Sequence, residues 1–415
     1  MIEIAVLGYG VVGSGVVEVL TTHADSIAHR AKEKINVKYI LVRRDRAESS
    51  LQGEFTKSFD EIVDDPDIKI VVEAIGGLNP AYEYVRRSLE AGKSVVTSNK
   101  ELVASKGAEL LKIAQEKNLN FLFEASVGGG IPILRPISQC LAANDVVGIC
   151  GILNGTTNFI LTKMFHDNMS FEDALKLAQK LGYAEHDPSA DIEGMDACRK
   201  ICILASLTYG HPVYPEQVHT EGITEIRKTD VEYADSWHGV IKLIGEVKKE
   251  DNGRLQIIVC PMFIPSDSQI ATVDNVFNAI MVRGDATGDV LFYGKGAGKL
   301  PTASAVVADV IDCVKHLKAR KYLFWDAGSP DYIDDYTKDT RAFYVCAKYN
   351  EDAEKGLALA TKEFPILEHL KRKNAPLGEF AFVTDVMQGY EFRKKCIVLK
   401  KAGIELQNTI RVGDM

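Results

Sequence analysis

The chain opens on a short, mostly apolar run, Ile2 to Leu7, rich in β-branched residues and suited to a strand buried on both faces. Comparable runs recur at Ile35 to Val42, Ile68 to Glu73, Ser94 to Val96 and Asn120 to Phe123. Between them the apolar positions take helical spacing. Val11 to Leu20, Pro80 to Ala91 (with Tyr84, Val85 and Leu89 on one side) and Glu101 to Glu116 read as helices. Strands alternating with helices at this rhythm predict a parallel, doubly wound sheet. In such sheets ligands lie beyond the carboxyl ends of the strands. Gly76-Gly77, Thr97 to Lys100 and Glu124 to Val127 fall at strand ends and are expected to line one crevice.

The pattern changes after Val127. Gly128-Gly129-Gly130-Ile131-Pro132 reads as a hinge, followed by a helix that includes Leu134 to Leu141. Val146 to Leu153 is a strand, and Asn154-Gly155-Thr156-Thr157-Asn158 turns it into a helix, with Thr156 or Thr157 a natural cap. A helix over Phe171 to Leu181 leads into a loop. Lys242 to Lys248, Gln256 to Ile264, Ala271 to Val273, Ala279 to Arg283 and Val290 to Tyr293 read as a mostly antiparallel sheet. A second glycine-rich turn, Gly294 to Thr302, precedes an alanine- and valine-rich helix from Ala303 that suits a return to the first sheet. It is no phosphate loop of the NTPase kind, because leucine follows Lys299. Tyr322 to Thr340 is a predicted linker. Arg341 to Met415 then reads strand, helix, strand, strand, helix, strand, the ferredoxin-like βαββαβ order.

Composition narrows the class. A chain of 415 residues with 46% hydrophobic content supports two or three domains. No apolar run is long enough for a bilayer, and the glycine turn stands where a signal peptide would be, so a cytoplasmic protein is expected. A net charge of −9 without a basic stripe argues against nucleic acid. The eight cysteines and nine histidines are scattered, which suggests reduced thiols and no zinc site.

Two stretches carry chemistry. Gly8-Tyr9-Gly10-Val11-Val12-Gly13, with a strand before it and a helix after it, is the G-x-G-x-x-G turn of a dinucleotide-binding unit. Its glycines allow close approach of a pyrophosphate, whose charge sits at the helix N-terminus. Arg43 and Arg44 follow the second strand and favour the extra phosphate of NADP, while Asp45 keeps NAD as an alternative. The second stretch is Ala178 to Lys200. It gathers Glu185, Asp187, Asp191, Glu193 and Asp196 in a Gly- and Pro-punctuated loop ahead of a helix bearing Lys200. Such a loop can hold a cationic group beside a proton donor; the plain alternative is a solvated loop with a surface lysine. Lys100 opens a helix at a strand end, where a cation is electrostatically unfavourable, which points to an anionic partner.

With these residues together, the chain resembles homoserine dehydrogenases. The resemblance rests on Gly8 to Gly13, Ser98-Asn99-Lys100, Glu124 to Pro132, Asn154 to Asn158 and above all Ala178 to Lys200, and it spans residues 1 to about 330. It implies an α/β chain in three parts. These are a Rossmann-type doubly wound domain over 1–130 (with a return helix at about 303–320), an α+β substrate and dimerisation domain over 131–302, and an ACT-like regulatory domain over 341–415. In the ACT-like part Asn350-Glu351-Asp352-Ala353-Glu354 replaces the usual small-residue effector loop.

The implied reaction is reversible reduction of L-aspartate 4-semialdehyde to L-homoserine with NADPH, or with NADH as the alternative. Lys200 is the implied proton donor and acceptor, with Lys100 and Asp196 as catalytic partners; Glu185 and Asp191 hold the substrate ammonium. Gly8, Gly10, Val11, Val12, Gly13, Arg43, Arg44, Ser98, Lys100 and Gly296 are the implied cofactor residues. Main-chain oxygens of Glu124, Val127, Gly129 and Ile131 would take a monovalent cation, expected to be Na+. A homodimer or homotetramer and an amino-acid effector are implied partners, with neither membrane nor nucleic acid.

Two other classes remain open at this level. A non-catalytic NADP-binding sensor would not need Lys100, Asp196 and Lys200 together. An aspartate-semialdehyde dehydrogenase would need a nucleophilic cysteine with a histidine base, and no cysteine here stands in a matching strand-end setting.

Overall fold

The computed structural model describes residues 1–44, 53–321, 323, 325, 332–350 and 352–414. Asp45, Glu351 and much of the expected linker lie outside the described residues. The chain divides into two compact units. The first comprises 1–146, 199–215 and 283–329; the second comprises 147–198, 216–282 and 330–415.

In the first unit, β1 (Ile2–Leu7), β2 (Ile35–Leu41), β3 (Glu54–Thr56), β4 (Ile68–Glu73), β5 (Ser94–Thr97) and β6 (Phe121–Leu122) form a sheet in the order β3-β2-β1-β4-β5-β6. Every neighbouring pair is parallel. This is the dinucleotide-binding order, which reverses between β1 and β4. The sequence pattern did not reveal β3, since three residues are too few to show a period. Ile4, Val6, Ile70 and Val72 are fully buried, together with Val16, Val17 and Leu20 of the helix Val11–Thr22. The helix Lys299–Lys315 adds Ala303, Val306, Val310 and Cys313 to this core. It begins earlier than expected and carries Pro301 in its first turn, where a missing N–H costs no helical hydrogen bond.

The second unit is built on a mixed sheet. Strands run side by side in the order Phe277–Gly284, Val146–Ile152, Gly239–Lys249, Leu255–Pro265, Glu405–Val412, Phe343–Lys348, Glu379–Thr384, Ile366–Leu370. Gly239–Lys249 and Leu255–Pro265 pair antiparallel over their whole length. The C-terminal segment joins through a parallel contact, Met262 with Arg411 and Phe263 with Val412. Its own elements follow the βαββαβ order, with helices at Ala353–Glu363 and Gly389–Lys401, and place the fourth strand beside the first.

Three local expectations are corrected. Ala271 to Val273 is not a strand: its backbone N–H groups close turns onto Ser268 and Ile270, and the buried Ile270 and Val273 side chains account for its apolar pattern. The helix after the hinge contains a π-helical turn at Pro136–Cys140, with the proline at its first position. The cap of the helix Gly155–His166 is Asn154, not Thr156 or Thr157; its side-chain oxygen accepts from the Thr157 N–H at 2.8 Å.

Candidate active site

The first unit collects its candidate residues at the carboxyl ends of the strands. Gly8 has φ +98°, and a Cβ there would stand 2.9 Å from the Ala74 oxygen. At Gly13 a Cβ would fall 2.0 Å from the Gly8 oxygen, so the turn closes only without side chains. Beside Gly10 nothing lies within 4 Å, and Val11 is exposed. The helix Val11–Thr22 has no side-chain cap at its start. An open space in front of uncapped N–H groups fits a pyrophosphate. Val12 is half-buried, and Arg43 and Arg44 are exposed just past the end of β2.

Sequence reasoning missed Glu73. Fully buried at the end of β4, it accepts from the N–H groups of Ile75 (2.7 Å) and Gly76 (3.0 Å) and from the Thr97 hydroxyl (2.5 Å). It thus ties the loop after β4 to the loop after β5. Asn99 continues the tie: its amide donates to the Gly77 oxygen at 2.6 Å, and its oxygen caps the helix Lys100–Glu116. Ser98 and Lys100 on either side are half-buried. A buried acidic residue ending an otherwise apolar strand was the available signal, because a buried carboxylate needs several donors.

Lys200 is buried on the helix Met195–Tyr209. The residue before it, Arg199, lies 3.9 Å from Glu101, the residue after Lys100. Two lysines 100 positions apart in sequence therefore occupy adjoining parts of this unit.

The loop proposed for a cation folds tightly on itself. The Ile131 N–H donates to the Gly128 oxygen at 2.9 Å, and Gly129 has φ +56°. A Cβ on Gly129 would lie 2.2 Å from the Gly296 oxygen, and the Gly130 N–H reaches the Lys295 oxygen at 3.1 Å. Gly296 is thereby brought to this loop. The Glu124 carboxylate accepts from the N–H groups of Ile133 (2.6 Å), Leu134 (2.9 Å) and Arg135 (2.8 Å). Its own N–H donates to Asp309 at 2.8 Å. Asp309 is pushed up to about 7, first by burial, with the Glu124 charge adding and Arg135 opposing.

In the second unit Asn154 joins two of the acidic residues. Its amide donates to Asp191 at 2.6 Å and to Asp196 at 2.8 Å. Asp196 is buried and Asp191 half-buried. Glu185 and Asp187 remain exposed. The Asp187 carboxylate sits below its ordinary range through hydrogen bonds from the Ser189 side chain and N–H. The acidic stretch thus separates into a solvated outer turn and an ordered inner pair. Among the described residues, no group of three or more His, Cys, Asp and Glu side chains is placed to hold a metal ion, and no helix is long and apolar enough to cross a membrane.

Comparison with known proteins places the chain in a family. A family profile described as homoserine dehydrogenase matches residues 132–311, and one described as homoserine dehydrogenase, NAD binding domain, matches residues 8–124. The chain is 41% identical over 320 residues to the homoserine dehydrogenase of Bacillus subtilis, covering 76% of this chain and 74% of that protein. It is 44% identical over 315 residues to that of Pseudomonas aeruginosa, covering 76% and 72%. The solved structure of a homoserine dehydrogenase from Thiobacillus denitrificans superposes with a TM-score of 0.91 at 36% identity, covering 100% of this chain and 98% of the other. A hyperthermophilic archaeal homoserine dehydrogenase in complex with NADPH gives 0.65 at 30% identity, covering 75% and 97%.

Fold and site together define an NAD(P)-dependent oxidoreductase. The chain belongs to the homoserine dehydrogenase family.

Proposed function

We propose that Lys200 is the proton donor and acceptor in the interconversion of L-aspartate 4-semialdehyde and L-homoserine, with Lys100 and Asp196 as its catalytic partners. The observation that carries this is the Arg199–Glu101 contact, which sets the chain around buried Lys200 beside the helix that Lys100 opens. A bound nicotinamide supplies or accepts the hydride. As the aldehyde carbon is reduced its oxygen gains charge, and a Lys200 ammonium gives that oxygen a proton; in reverse, the amine takes the hydroxyl proton. Lys100 faces the developing oxygen charge or the substrate carboxylate. Asp196, one helical turn before Lys200, orients it. Asp191, held by Asn154, takes the substrate ammonium, with Glu185 on the outer turn.

Arg43 and Arg44 support NADP over NAD, as does the NADPH in the archaeal relative's structure. We assign the cofactor to Gly8, Gly10, Val11, Val12 and Gly13 at the open glycine turn, together with Ser98, Lys100 and Gly296. The Glu124 carboxylate is committed to three N–H groups, so its contribution to a Na+ site is its main-chain oxygen, alongside those of Val127, Gly129 and Ile131. The close-turned loop fits that donor set. The segment 341–415 is proposed as an ACT-like domain, the protein as a homo-oligomer, and the compartment as the reducing cytoplasm, where eight free cysteines are at home.

The test is a spectrophotometric assay with L-homoserine and NADP or NAD. Turnover in wild type and its loss in Lys200→Ala, with cofactor binding retained, is the expected result. A Lys200→Ala enzyme at near wild-type rate overturns the proton role.

A further inference from the structure

A cavity of about 450 Å³ lies within the second unit, and no residue of the acidic loop lines it. The helix Gly389–Lys401 contributes Phe392, Arg393 and Lys400; Leu406 and Arg411 come from the last strand, and Glu221 from the segment before Ile223. Three cations face one carboxylate there, in a chain whose net charge is −9. That carboxylate is engaged already. Arg411 reaches both Glu221 oxygens at 2.9 Å, and the His219 ring nitrogen stands 2.6 Å away. Tyr336 stacks on His219 with ring centroids 3.6 Å apart, and the Arg393 guanidinium covers the tyrosine ring at 4.9 Å. Arg393 and Lys400 are exposed.

We propose that this cavity binds a small organic anion, its charged group at Arg393, Lys400 and Arg411 and an apolar body against Phe392 and Leu406. Three cations with a single carboxylate around a concave, part-aromatic wall select a carboxylate or phosphate ester. A zwitterionic amino acid fits less well, because its ammonium would meet the cations and find Glu221 taken.

Occupancy is coupled to the substrate loop by a short, stiff connection. The Glu221 N–H donates to Val259 at 2.7 Å, and the Ile223 N–H donates to the Ile192 oxygen at 2.8 Å. Between them Gly222 packs so closely that a Cβ would stand 2.2 Å from that oxygen and 2.6 Å from the Glu193 Cα. Glu221 is thus linked to Asp191 through Gly222 and Ile192. An anion that draws Arg411 away from Glu221 loosens the brace behind the Asp191 turn and weakens ammonium capture. This coupling, unlike the binding, rests on the assignment of Asp191 to the substrate ammonium.

The experiment is calorimetric titration of the full chain with phenyl phosphate, followed by kinetics. Saturable binding is expected, weakened about tenfold or more in Arg393→Ala and in Lys400→Ala and unchanged in Asp191→Ala and Arg43→Ala. Saturating probe raises the KM for homoserine about fivefold or more. Absent binding, or wild-type affinity in both cavity variants, overturns the site. Arg393-dependent binding of L-phenylalanine in place of phenyl phosphate overturns the anion preference. An unchanged KM with the cavity filled overturns the coupling. If Asp191→Ala leaves the homoserine KM intact while phenyl phosphate still binds, the substrate assignment fails and the site stands.

Discussion

Asn154 shows how much a single neutral side chain can organise. It caps a helix with its oxygen and spans two carboxylates with its amide. Asn154→Ala removes donors from both Asp191 and Asp196, and each charge-assisted bond is worth about 1.5–3 kcal/mol. The expected outcome is a loss of about 3 kcal/mol or more of stability in urea unfolding and a raised KM for homoserine. A variant with wild-type midpoint and KM would show the bridge to be incidental. Lys200→Ala should lower kcat by about 10²–10⁴-fold, the usual range for general acid–base work. Cofactor fluorescence titration should be unchanged. Glu221 gives a pH signature. Burial pushes its carboxyl up, but the His219 hydrogen bond and the Arg411 charge outweigh that and hold it at about 2. A depressed carboxylate stabilises the fold above its unfolded value, about 4.3, and that contribution disappears as pH falls toward 2. Urea midpoints of wild type and Glu221→Gln should therefore converge over that acid range and differ above it.

At the scale of elements, the loop from Glu124 to Ile131 is held by its ends. The Glu124 carboxylate takes the first free N–H groups of the following helical segment, while Asp309 of the helix Lys299–Lys315 takes the N–H of Glu124. An anion at such a position is favoured both by hydrogen bonds and by the local dipole. Glu124→Gln keeps the shape and removes the charge. It should cost about 1–2 kcal/mol, measured as a drop in thermal midpoint. An unchanged midpoint would mean that the glycine contacts alone hold the loop. In the sequence this stretch reads as a flexible hinge, because three successive glycines suggest freedom. The structure uses all three for close approach instead: Gly128 to the Ile131 oxygen, Gly129 to the Gly296 oxygen and Gly130 to the Pro301 ring. Composition shows which backbone shapes are permitted, and only the neighbours show which one is taken.

For the whole molecule, the tail matters most. From sequence, removal of everything after about Lys338 leaves catalysis if the tail is a separate domain. The structure shows the tail's last strand continuing the sheet of its unit. Arg341 is buried against Glu246 at 2.7 Å and against Asp339. The Tyr344 hydroxyl donates to the fully buried Asp230 at 3.0 Å, and the Tyr344 ring stacks on Phe263 at 4.3 Å. Truncation would strip Arg341 from buried Glu246, and breaking a buried pair costs about 3–5 kcal/mol; it would also remove the Tyr344 and Asn408 donors from buried Asp230, which keeps Arg227. The expected result is insoluble or unfolded protein, seen by soluble yield and calorimetry. A soluble, active product would restore the detachable tail.

Local chain chemistry by itself determined the parallel sheet, the glycine turn, the βαββαβ order and the identity of the candidate lysines and carboxylates. Each rests on short-range rules: period, turn residues, and charge within a few positions. Tertiary structure decided the rest. It made Glu73 and Asn154 organisers, set the Lys100 and Lys200 regions side by side through Glu101 and Arg199, and welded the tail to its sheet. Those outcomes depend on buried polar groups finding donors far away in sequence. A buried carboxylate must be satisfied, but only the packed chain selects the group that satisfies it.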